Sequence, residues 1–524
     1  MNITFIPENI TAEFAAGDTI AQAAQRVGVE LRTDCGSMGK CGKCKVTIRS
    51  KEKCESVLAC QCKAEDGMVV ERLPEREDAE RKNILLHMPE QCMIDREEKS
   101  IGIAVDIGTT TVVVMALSLE DGALLGTLSA ANPQRKYGAD VISRIAFASE
   151  ASYHTRLLQQ MVTGCIGQLV REILQQVNLS EKQISRYAVV GNTTMSHLFL
   201  GFDPSGLGET PFSPVFMHGR EETASSLGLP GRENAAVYVA SNMAGHVGSD
   251  ITADLLGAEM IYSKPNRLIV DIGTNGEILL QRGDRILVCS TAAGPAFEGG
   301  AISCGMRAAA GAIEKVNLTG GRIELTVIGN GVPSGICGSG IIDAVSQMLK
   351  QGILDESGRI LSQWEVETSV PAELRRRIRS DGEVNRFVLF EDEAQGRTVA
   401  VTQNDIRQVQ MAKAAVSAGI RILLKEQKLK VKDLAQVCIA GAFGSYIDIE
   451  SAVSLGLLPD IEAEKITALG NGAGMGACMM TLSAVYREKA EDLALRTEHI
   501  ELAEEDGFLP LYLEAMNFST RKGK

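Results

Sequence analysis

The sequence lacks several features that mark broad classes of protein. No apolar run reaches the about 18–20 residues that a membrane-spanning helix needs, so no membrane association is expected. Basic residues are in the minority, with 53 Lys and Arg against 67 Asp and Glu and a net charge of −14, which argues against nucleic acid as a partner. The N-terminal residues have neither the basic nor the apolar region of a secretory signal peptide. We therefore expect a cytoplasmic protein.

Common catalytic signatures are missing too. The chain has no Gly-x-Ser-x-Gly turn, no Walker phosphate loop and no His-x-x-x-His zinc pair. Aromatic residues make up only 4% of the chain whereas glycine occurs 52 times, which favours tight backbone turns over aromatic binding platforms. At 524 residues the chain is too long for one hydrophobic core, so several domains are expected.

Cysteine, by contrast, is abundant and unevenly placed. Of 13 cysteines, seven lie in the first 92 residues, namely Cys35, Cys41, Cys44, Cys54, Cys60, Cys62 and Cys92. In a reducing compartment such a cluster indicates metal binding or redox chemistry rather than structural disulfides. The pattern Cys35-x5-Cys41-x2-Cys44, with Cys60 after fifteen further residues, places three thiols in one glycine-rich loop.

This spacing resembles the loop of plant-type [2Fe–2S] ferredoxins, whose usual pattern is C-x4-C-x2-C with a distant fourth cysteine. The resemblance implies a [2Fe–2S] cluster on Cys35, Cys41, Cys44 and Cys60, with glycines that let the loop wrap tightly and point N–H groups at the sulfurs. The fourth position is open, since Cys62 or Cys54 could replace Cys60. Zinc is the alternative metal, but zinc normally uses paired Cys-x2-Cys elements and the chain has no second pair.

Residues 1–72 are predicted to form a β-grasp ferredoxin-like domain. Extended runs at 2–7 and 11–15 precede a helix at 19–27 with Asp18 as its N-cap, and strands at 45–49 and 68–73 follow the cysteine loop. Residues 71–83 then include nine charged side chains, and prolines interrupt the stretch at 74 and 89. This composition predicts a charged linker over 73–99, with a helical piece at 84–88.

The remainder of the chain contains an internal repeat. The segment IAVDIGTTTVVV at 103–114 consists of an apolar strand, a Gly/Thr turn and a second apolar strand, and LIVDIGTNGEILL at 268–280 repeats the pattern 165 residues later. Two such hairpins predict two lobes with related folds that face one cleft, which we place at residues 100–262 and 263–524. The expected fold class is α+β for the first domain and α/β for the lobes.

The two hairpin turns resemble the phosphate-binding loops of the acetate/sugar kinase, Hsp70 and actin superfamily. The resemblance implies a two-lobed, RNase H-like ATPase in which hydroxyl, amide and backbone N–H groups donate to the triphosphate. The residues concerned are Gly108, Thr109, Thr110, Thr111, Gly273, Thr274 and Asn275. Asp106 and Asp271, each at the end of an apolar strand, are the predicted catalytic residues, because a carboxylate there can hold hydrated Mg²⁺ or position the attacking water.

Other segments fit the same fold. VCIAGAFGS at 437–445 resembles the adenosine-binding motif, and the predicted nucleoside contacts are Gly441, Ala442, Phe443 and Gly444. Residues 469–477 resemble the small-residue helix at the hinge between the lobes, although a glycine-rich contact in the core would have the same composition. Residues 338–343 could begin the other connecting helix or contact phosphate. Residues 191–195 border the cleft or form a capped helix start, and Glu298 is expected to be solvated rather than to support the site.

A ferredoxin-like domain joined to such an ATPase resembles the reductive activators of corrinoid proteins. The resemblance covers nearly the whole chain, and its markers include CGKC at 41–44, VLACQ at 57–61, the two DIGT turns, GNTTM at 191–195 and AGAFG at 440–444. It implies an ATP-hydrolysing oxidoreductase that passes one electron from the [2Fe–2S] cluster to Co(II) of a corrinoid protein and so regenerates Co(I) for methyl transfer. The resemblance also implies Mg²⁺, a low-potential electron donor and a homodimer. The chain has no Asp-x-His-x-x-Gly corrinoid signature, so the corrinoid is expected on the partner.

Three other functions use the same ATPase fold. A small-molecule kinase could carry an accessory redox domain, and it would phosphorylate a sugar or an acid. An activator of 2-hydroxyacyl-CoA dehydratases would hold one [4Fe–4S] cluster between two subunits and would lack a ferredoxin domain. An ATP-gated scaffold would work without its iron ligands.

Overall fold

The computed structural model describes residues 1–6, 9–29, 31, 44–49, 54–72, 92–261, 266–382, 384–444 and 446–518. Cys35 and Cys41, and the predicted helical piece at 84–88, lie outside the described residues.

The described part of residues 1–72 forms a mixed sheet with one helix packed against it. Its strands and helix are β1 (Asn2–Ile6), β2 (Ile10–Glu13), α1 (Ile20–Arg26), β3 (Lys45–Arg49), β4 (Cys54–Leu58) and β5 (Val69–Arg72), in the sheet order β2-β1-β5-β3-β4. Strand β1 runs parallel to β5 and the other pairs are antiparallel. The apolar face of α1 shares a small core with Phe5, Val46 and Val70. The predicted β-grasp arrangement is confirmed.

The N-cap of α1 differs from the prediction by one residue. Thr19, not Asp18, caps the helix, because its hydroxyl accepts the N–H of Gln22 while the Gln22 amide accepts the N–H of Thr19. A threonine followed three residues later by glutamine satisfies two free N–H groups at once. Asp18 instead accepts the N–H of Ala15 and forms an ion pair with Arg26.

The first lobe is a sheet with helices on both faces. Its elements are β6 (Ile101–Ile107), β7 (Thr111–Ser118), β8 (Leu124–Ala131), α2 (Val141–Glu150), α3 (Ser152–Gln176), β9 (Ile184–Gly191), α4 (Thr193–Leu200), β10 (Arg220–Thr223), β11 (Ala236–Val239) and α5 (Ser249–Ile261), in the sheet order β10-β11-β9-β6-β7-β8. Strands β6, β7 and β8 are antiparallel neighbours, whereas β9 and β11 run parallel to β6.

The second lobe repeats this topology. Its central sheet has the order β22-β21-β12-β13-β14-β23, in which β12, β13 and β14 are antiparallel and β21 and β22 run parallel to β12. Two smaller sheets, β16-β15-β17 and β18-β19-β20, extend the lobe. Its elements are β12 (Arg267–Ile272), β13 (Gly276–Arg282), β14 (Arg285–Thr291), β15 (Ala312–Thr319), β16 (Arg322–Val327), β17 (Gly335–Ile336), α6 (Gly338–Lys350), α7 (Ala372–Arg376), β18 (Ile378–Asp381), β19 (Val384–Asp392), β20 (Arg397–Thr402), α8 (Gln403–Glu426), β21 (Gln436–Ala440), α9 (Gly441–Gly444), α10 (Ile449–Ser454), β22 (Ile466–Gly470), α11 (Gly472–Leu482), α12 (Ala484–Arg496), β23 (Thr497–His499) and α13 (Phe508–Ala515).

The two VDIGT segments end equivalent strands of the two lobes. Strands β6 and β12 are buried along nearly their whole length, because helices cover both faces of each sheet, and such strands have continuous apolar sequences rather than alternating ones. The internal repeat therefore corresponds to two related sheets, and the predicted RNase H-like, two-lobed fold is confirmed. No helix in the described ranges is long and apolar enough to cross a membrane.

Helices α5 and α11 pack against each other between the lobes. Helix α5 leads from β11 of the first lobe to β12 of the second, and α11 follows β22 of the second lobe and packs on β6 of the first. The segment at 469–477 is thus the start of a glycine-rich helix that joins the lobes. The other connecting helix is α5; residues 338–343 begin α6, where Gly340 lies against Ile313 inside the second lobe.

Glycine at position 476 permits this close helix crossing. A Cβ atom there would lie 2.4 Å from the carbonyl oxygen of Ala253 on α5. We predict that Gly476→Ala lowers the free energy of unfolding by about 1–3 kcal/mol, because the helix backbones must separate. Gly164→Ala is the matched control, since Gly164 also lies within a helix but has open space around it. That control should gain about 0.5–1 kcal/mol in urea unfolding experiments; equal effects of both substitutions would contradict the prediction.

Candidate functional site

Two of the four predicted cluster ligands lie side by side in the first domain. The sulfur atoms of Cys44 and Cys60 are 3.2 Å apart, and both residues are buried. The strand register causes this, because β3 pairs with β4 from Lys45 opposite Leu58, and the N–H of Ala59 donates to the carbonyl of Cys44. Two thiolates on one tetrahedral metal with bonds of about 2.3 Å lie about 3.8 Å apart. The pair therefore suits two ligands of one iron.

The alternative fourth ligands lie in less suitable places. The thiol of Cys62 is partly exposed and donates to its neighbour's carbonyl at Lys63, 3.7 Å away. Cys54 pairs with Arg49 at the opposite end of the β3–β4 hairpin from Cys44, about 17 Å away along the strand. The amide Nε2 of Gln61 donates to the sulfur of Cys60 at 3.5 Å, as groups that surround metal-bound thiolates do. The geometry favours Cys60.

The two DIGT turns lie where the lobes meet, because the charge of Asp271 in the second lobe contributes to the raised pKa of Asp106 in the first. In the first turn the N–H of Gly108 donates to the carbonyl of Thr111 at 2.9 Å, and in the second the N–H of Gly273 donates to the carbonyl of Asn275 at 3.0 Å. The turn residues are only partly buried, in contrast to the strands that precede them. Each turn thus presents small polar residues to the cleft. Glu298, expected to be solvated, instead accepts a hydrogen bond from the Thr274 hydroxyl at 2.8 Å.

Carboxyl groups from both lobes converge beneath these turns. Burial, with a smaller contribution from Asp271, raises the pKa of Asp106 to about 7, although the Asn471 side chain lowers it. Burial also raises the pKa of Asp271 to about 6, opposed by a hydrogen bond from Asp254. Burial, then the charges of Asp271 and Asp106, raises the pKa of Asp250 to about 8. A cation would relieve this crowding of negative charge.

Asp254 and Glu277 complete the acidic group. Burial is the main cause that raises the pKa of each, and the charge of Asp271 is the next. Asp254 is 1% exposed, and within the described ranges no group donates a hydrogen bond to either of its oxygens. A buried carboxyl that is hydrogen-bonded to another carboxyl, Asp271, rather than to a donor group fits a site that a hydrated cation completes.

Mg²⁺ is the cation that suits this arrangement. Within the part of the chain that the structure describes, no three His, Cys, Asp or Glu side chains approach closely enough to form a metal cage. Mg²⁺ does not require such a cage, since it keeps several waters and binds through one or two carboxylates together with nucleotide phosphates. Asp106 and Asp271, at the strand ends, are the predicted ligands, and this role stays a prediction.

The sequence did not identify Asp250 and Asp254. They lie four residues apart on α5 and so share one face of an otherwise mainly apolar helix. Their role could have been predicted from this pair of acidic residues on an otherwise mainly apolar helix. Residues 191–195 form the start of α4, where Asn192 is the N-cap and accepts the N–H of Thr194 at 2.9 Å.

The predicted adenosine motif lies next to the second aspartate. Strand β21 runs parallel to β12, with Ala440 opposite Asp271, and the chain then turns into the short helix α9. Gly441 has a positive φ of +85°, and a Cβ atom there would lie 2.3 Å from the Asp271 carboxylate. Only glycine lets the backbone pass so close to that carboxylate. The side chains of Ala442 and Phe443 lie outside the described structure, so their predicted contacts stay a prediction.

The crowded carboxyls predict how stability varies with pH. In the folded protein Asp271, Asp106 and Asp250 bind protons with pKa values of about 6, 7 and 8, above the value of about 4 for an unfolded chain. The folded state therefore holds more protons, and without Mg²⁺ or nucleotide the free energy of unfolding should fall as pH rises from 5 to 8. Asp250→Asn should flatten that slope in thermal unfolding, and added Mg²⁺ with ADP should stabilise more at pH 8 than at pH 6. If neither Asp250→Asn nor added Mg²⁺ with ADP changes the dependence of stability on pH, the prediction is contradicted.

A cysteine-ligated ferredoxin domain fused to a two-lobed nucleotide-binding fold defines an iron–sulfur ATPase. Family models agree with this class: "2Fe-2S iron-sulfur cluster binding domain" matches residues 1–75, "RACo middle region" matches 101–263 and "C-terminal domain of RACo the ASKHA domain" matches 265–524. The chain binds a [2Fe–2S] cluster and uses ATP with Mg²⁺.

Relatives identify the family. The chain is 30% identical to the corrinoid activation enzyme RamQ of Eubacterium limosum, in an alignment of 568 positions that covers 94% of this chain and 95% of that one. It is 25% identical to a [Co(II) methylated amine-specific corrinoid protein] reductase of Methanosarcina barkeri, over 80% of this chain and 77% of the relative. A solved reductive activator for corrinoid, iron–sulfur protein superposes with a TM-score of 0.71 at 28% identity, over 99% of this chain and 98% of that one. The chain belongs to the family of reductive activators of corrinoid proteins.

Proposed function

We propose that this protein uses ATP to drive the transfer of one electron to the Co(II) of a corrinoid protein, which regenerates Co(I) for methyl transfer. The observation that carries the proposal is the match to a corrinoid activation enzyme along 94% of the chain. The match spans both the ferredoxin part and the ATPase part, and the reaction needs both.

The electron-transfer side rests on the first domain. Cys44 and Cys60 are proposed as two cluster ligands, and Cys35 and Cys41 as the other two. The bound cluster supplies one electron at a time. Burial of Cys44 and Cys60 excludes water from that side of the site, and the Gln61 amide donates to the sulfur of Cys60. Such donors stabilise negative charge on thiolate sulfur.

The ATP-hydrolysing side rests on the cleft. Thr109, Thr110 and Thr111 of the first turn, and Thr274 and Asn275 of the second, are proposed to bind the phosphates, while residues 441–444 contact the nucleoside. Asp106 and Asp271 are proposed to hold hydrated Mg²⁺ or to position the attacking water. Because α5 and α11 link the lobes directly behind these groups, closure of the cleft on ATP would reposition the surfaces of both lobes.

ATP is needed because the reduction potential of the Co(II)/Co(I) couple is very low. For a one-electron transfer, each 59 mV of unfavourable potential costs about 1.4 kcal/mol, or a factor of about ten in the equilibrium. A few such steps leave almost no Co(I) without an input of free energy. Binding of ATP would favour the complex with the corrinoid protein, and hydrolysis would release the partner.

Several finer features belong to the same proposal. We propose that the electron comes from a low-potential cellular donor, that the protein works as a homodimer and that it is cytoplasmic. We also propose the domain limits 1–72, 73–99, 100–262 and 263–524. The separate sheets of the first domain and the two lobes support this division. Light scattering of the purified protein tests the dimer.

The rate of ATP hydrolysis tests the proposal. The anaerobic, cluster-containing protein is incubated with Mg²⁺ and ATP, alone and with a purified corrinoid protein in the Co(II) state. We expect several-fold stimulation by the Co(II) form. The kinase alternative predicts instead that sugars or organic acids stimulate hydrolysis and are phosphorylated, while the corrinoid protein has no effect; that result would overturn the proposal.

A further inference from the structure

Arg144 is a fully buried cation behind the first phosphate-binding turn. It lies in the first turn of α2 and is 0% exposed. Its guanidinium donates to the carbonyls of Gly138 at 2.9 Å and Thr109 at 2.5 Å, to the Gln134 side chain and to the sulfur of Met195. All of these acceptors are neutral.

No carboxylate in the described parts of the chain forms an ion pair with Arg144. Burial lowers the pKa of its guanidinium; Asp140 opposes that shift and Arg135 adds to it. One carboxylate oxygen of Asp140, Oδ1, caps α2, where it accepts the N–H and the hydroxyl of Ser143. A buried charge without an ionic partner is costly unless an anion compensates it. The turn that Arg144 holds through the Thr109 carbonyl is only partly buried.

Arg144 and Asn132 together hold three consecutive carbonyls of that turn. The side-chain amide of Asn132 donates to the carbonyl of Gly108 and its backbone N–H donates to the carbonyl of Thr110, each at 2.9 Å. Arg144 holds the carbonyl of Thr109 between them. Both side chains are fully buried, so the three carbonyls face the interior of the lobe.

This arrangement orients the N–H groups of the turn. A trans peptide is planar, so the N–H of each residue points opposite to the preceding carbonyl. The N–H groups of Thr109 and Thr110 must therefore point away from Asn132 and Arg144, and so away from the interior of the lobe. Within the described residues neither N–H has a hydrogen-bond acceptor. Unpaired N–H groups of a turn are what bind phosphate oxygens.

We propose that Arg144 is a positioning residue for the nucleotide phosphates, because it holds the Thr109 carbonyl toward the interior of the lobe and places a buried positive charge behind the donors of the turn. The second turn is supported differently, since the carboxylate of Glu298 accepts a hydrogen bond from the Thr274 hydroxyl. The turn of the first lobe would therefore attract the phosphates directly, while Asp106 and Asp271 of the two lobes would act through Mg²⁺. This inference rests on the proposed use of ATP.

Binding selectivity tests the proposal. Dissociation constants for Mg²⁺·ATP and for adenosine are measured by calorimetry on the full chain, and the observable is the preference for ATP over adenosine. Arg144→Met should reduce that preference by about 10- to 100-fold, as expected for loss of charge-assisted hydrogen bonding. Adenosine affinity should change less than about twofold, because adenosine has no phosphate for the turn to bind. Arg144→Lys keeps the positive charge but loses the planar guanidinium with its several N–H donors. The preference of this variant for ATP over adenosine should therefore lie between those of wild type and Arg144→Met.

Arg156→Met is the matched control, since Arg156 is an exposed arginine of the same lobe. It should leave the preference unchanged. A parallel loss of ATP and adenosine binding in the Arg144 variants would indicate a structural role and overturn the inference, as would an unchanged preference. If Arg144→Met does not fold, the ratio of ATP affinity to adenosine affinity in Arg144→Lys decides the question. A wild-type chain that binds no ATP would overturn the proposed function as well, so the two failures are distinguishable.

Discussion

Replacing Cys60 by alanine is expected to abolish both cluster binding and reduction of Co(II). The thiol of Cys60 is buried beside that of Cys44, and removing one of four thiolate ligands leaves the iron incompletely coordinated. The anaerobically prepared variant should lack the visible absorption and, after reduction, the EPR signal of a [2Fe–2S] centre. Basal ATP hydrolysis should persist, because the cleft lies in a different part of the chain.

Cys62→Ala is the matched control for that experiment. Cys62 lies two residues further along, with its thiol directed to the Lys63 carbonyl, so the variant should keep its cluster and its activity. Loss of the cluster in Cys62→Ala together with its retention in Cys60→Ala would assign the fourth ligand to Cys62. That outcome would contradict the ligand assignment proposed here.

Replacing Asp271 by asparagine is expected to lower ATP hydrolysis by about 10²- to 10⁴-fold, the range for loss of a group that positions or deprotonates the attacking water. Asparagine keeps the shape of the side chain but removes the charge. Because Asp271 raises the pKa values of Asp106 and Asp250, the variant should be at least as stable as wild type while being inactive. Steady-state hydrolysis and thermal unfolding measure the two effects.

Asp284→Asn provides the control in the same lobe. Asp284 lies in the exposed turn between β13 and β14, and its loss should change neither activity nor stability appreciably. An Asp271→Asn variant that hydrolyses ATP at nearly the wild-type rate would contradict the catalytic role. A variant that loses activity only because it unfolds would contradict the expected gain from relieving charge crowding.

The features predicted from the sequence are those that short segments determine locally. The two VDIGT segments identify equivalent strands because a buried strand that ends in a Gly/Thr turn has a sequence pattern only a few residues long. The spacing of Cys41 and Cys44 likewise suffices to indicate a cluster-binding loop. The fold class, the ferredoxin-like domain and the two related lobes follow from these segments.

The features that were missed depend on contacts between distant segments. Cys60 was predicted as the fourth ligand, but its choice over Cys62 and Cys54 could not be settled from the sequence because it depends on the β3–β4 register. Asp250, Asp254 and Arg144 gain their importance from what lies across from them, namely Asp271 on β12 and the carbonyl of Thr109. Spacing along the chain carries no information about such neighbours.

The cobalt absorption spectrum tests the central claim most directly. Protein with a reduced cluster is mixed anaerobically with a Co(II) corrinoid protein, with and without Mg²⁺ and ATP, and the formation of Co(I) is followed. The account predicts that Co(I) accumulates only when ATP is present, and that Asp271→Asn and Cys60→Ala each prevent it. Equal formation of Co(I) with and without ATP would contradict the coupling of hydrolysis to reduction.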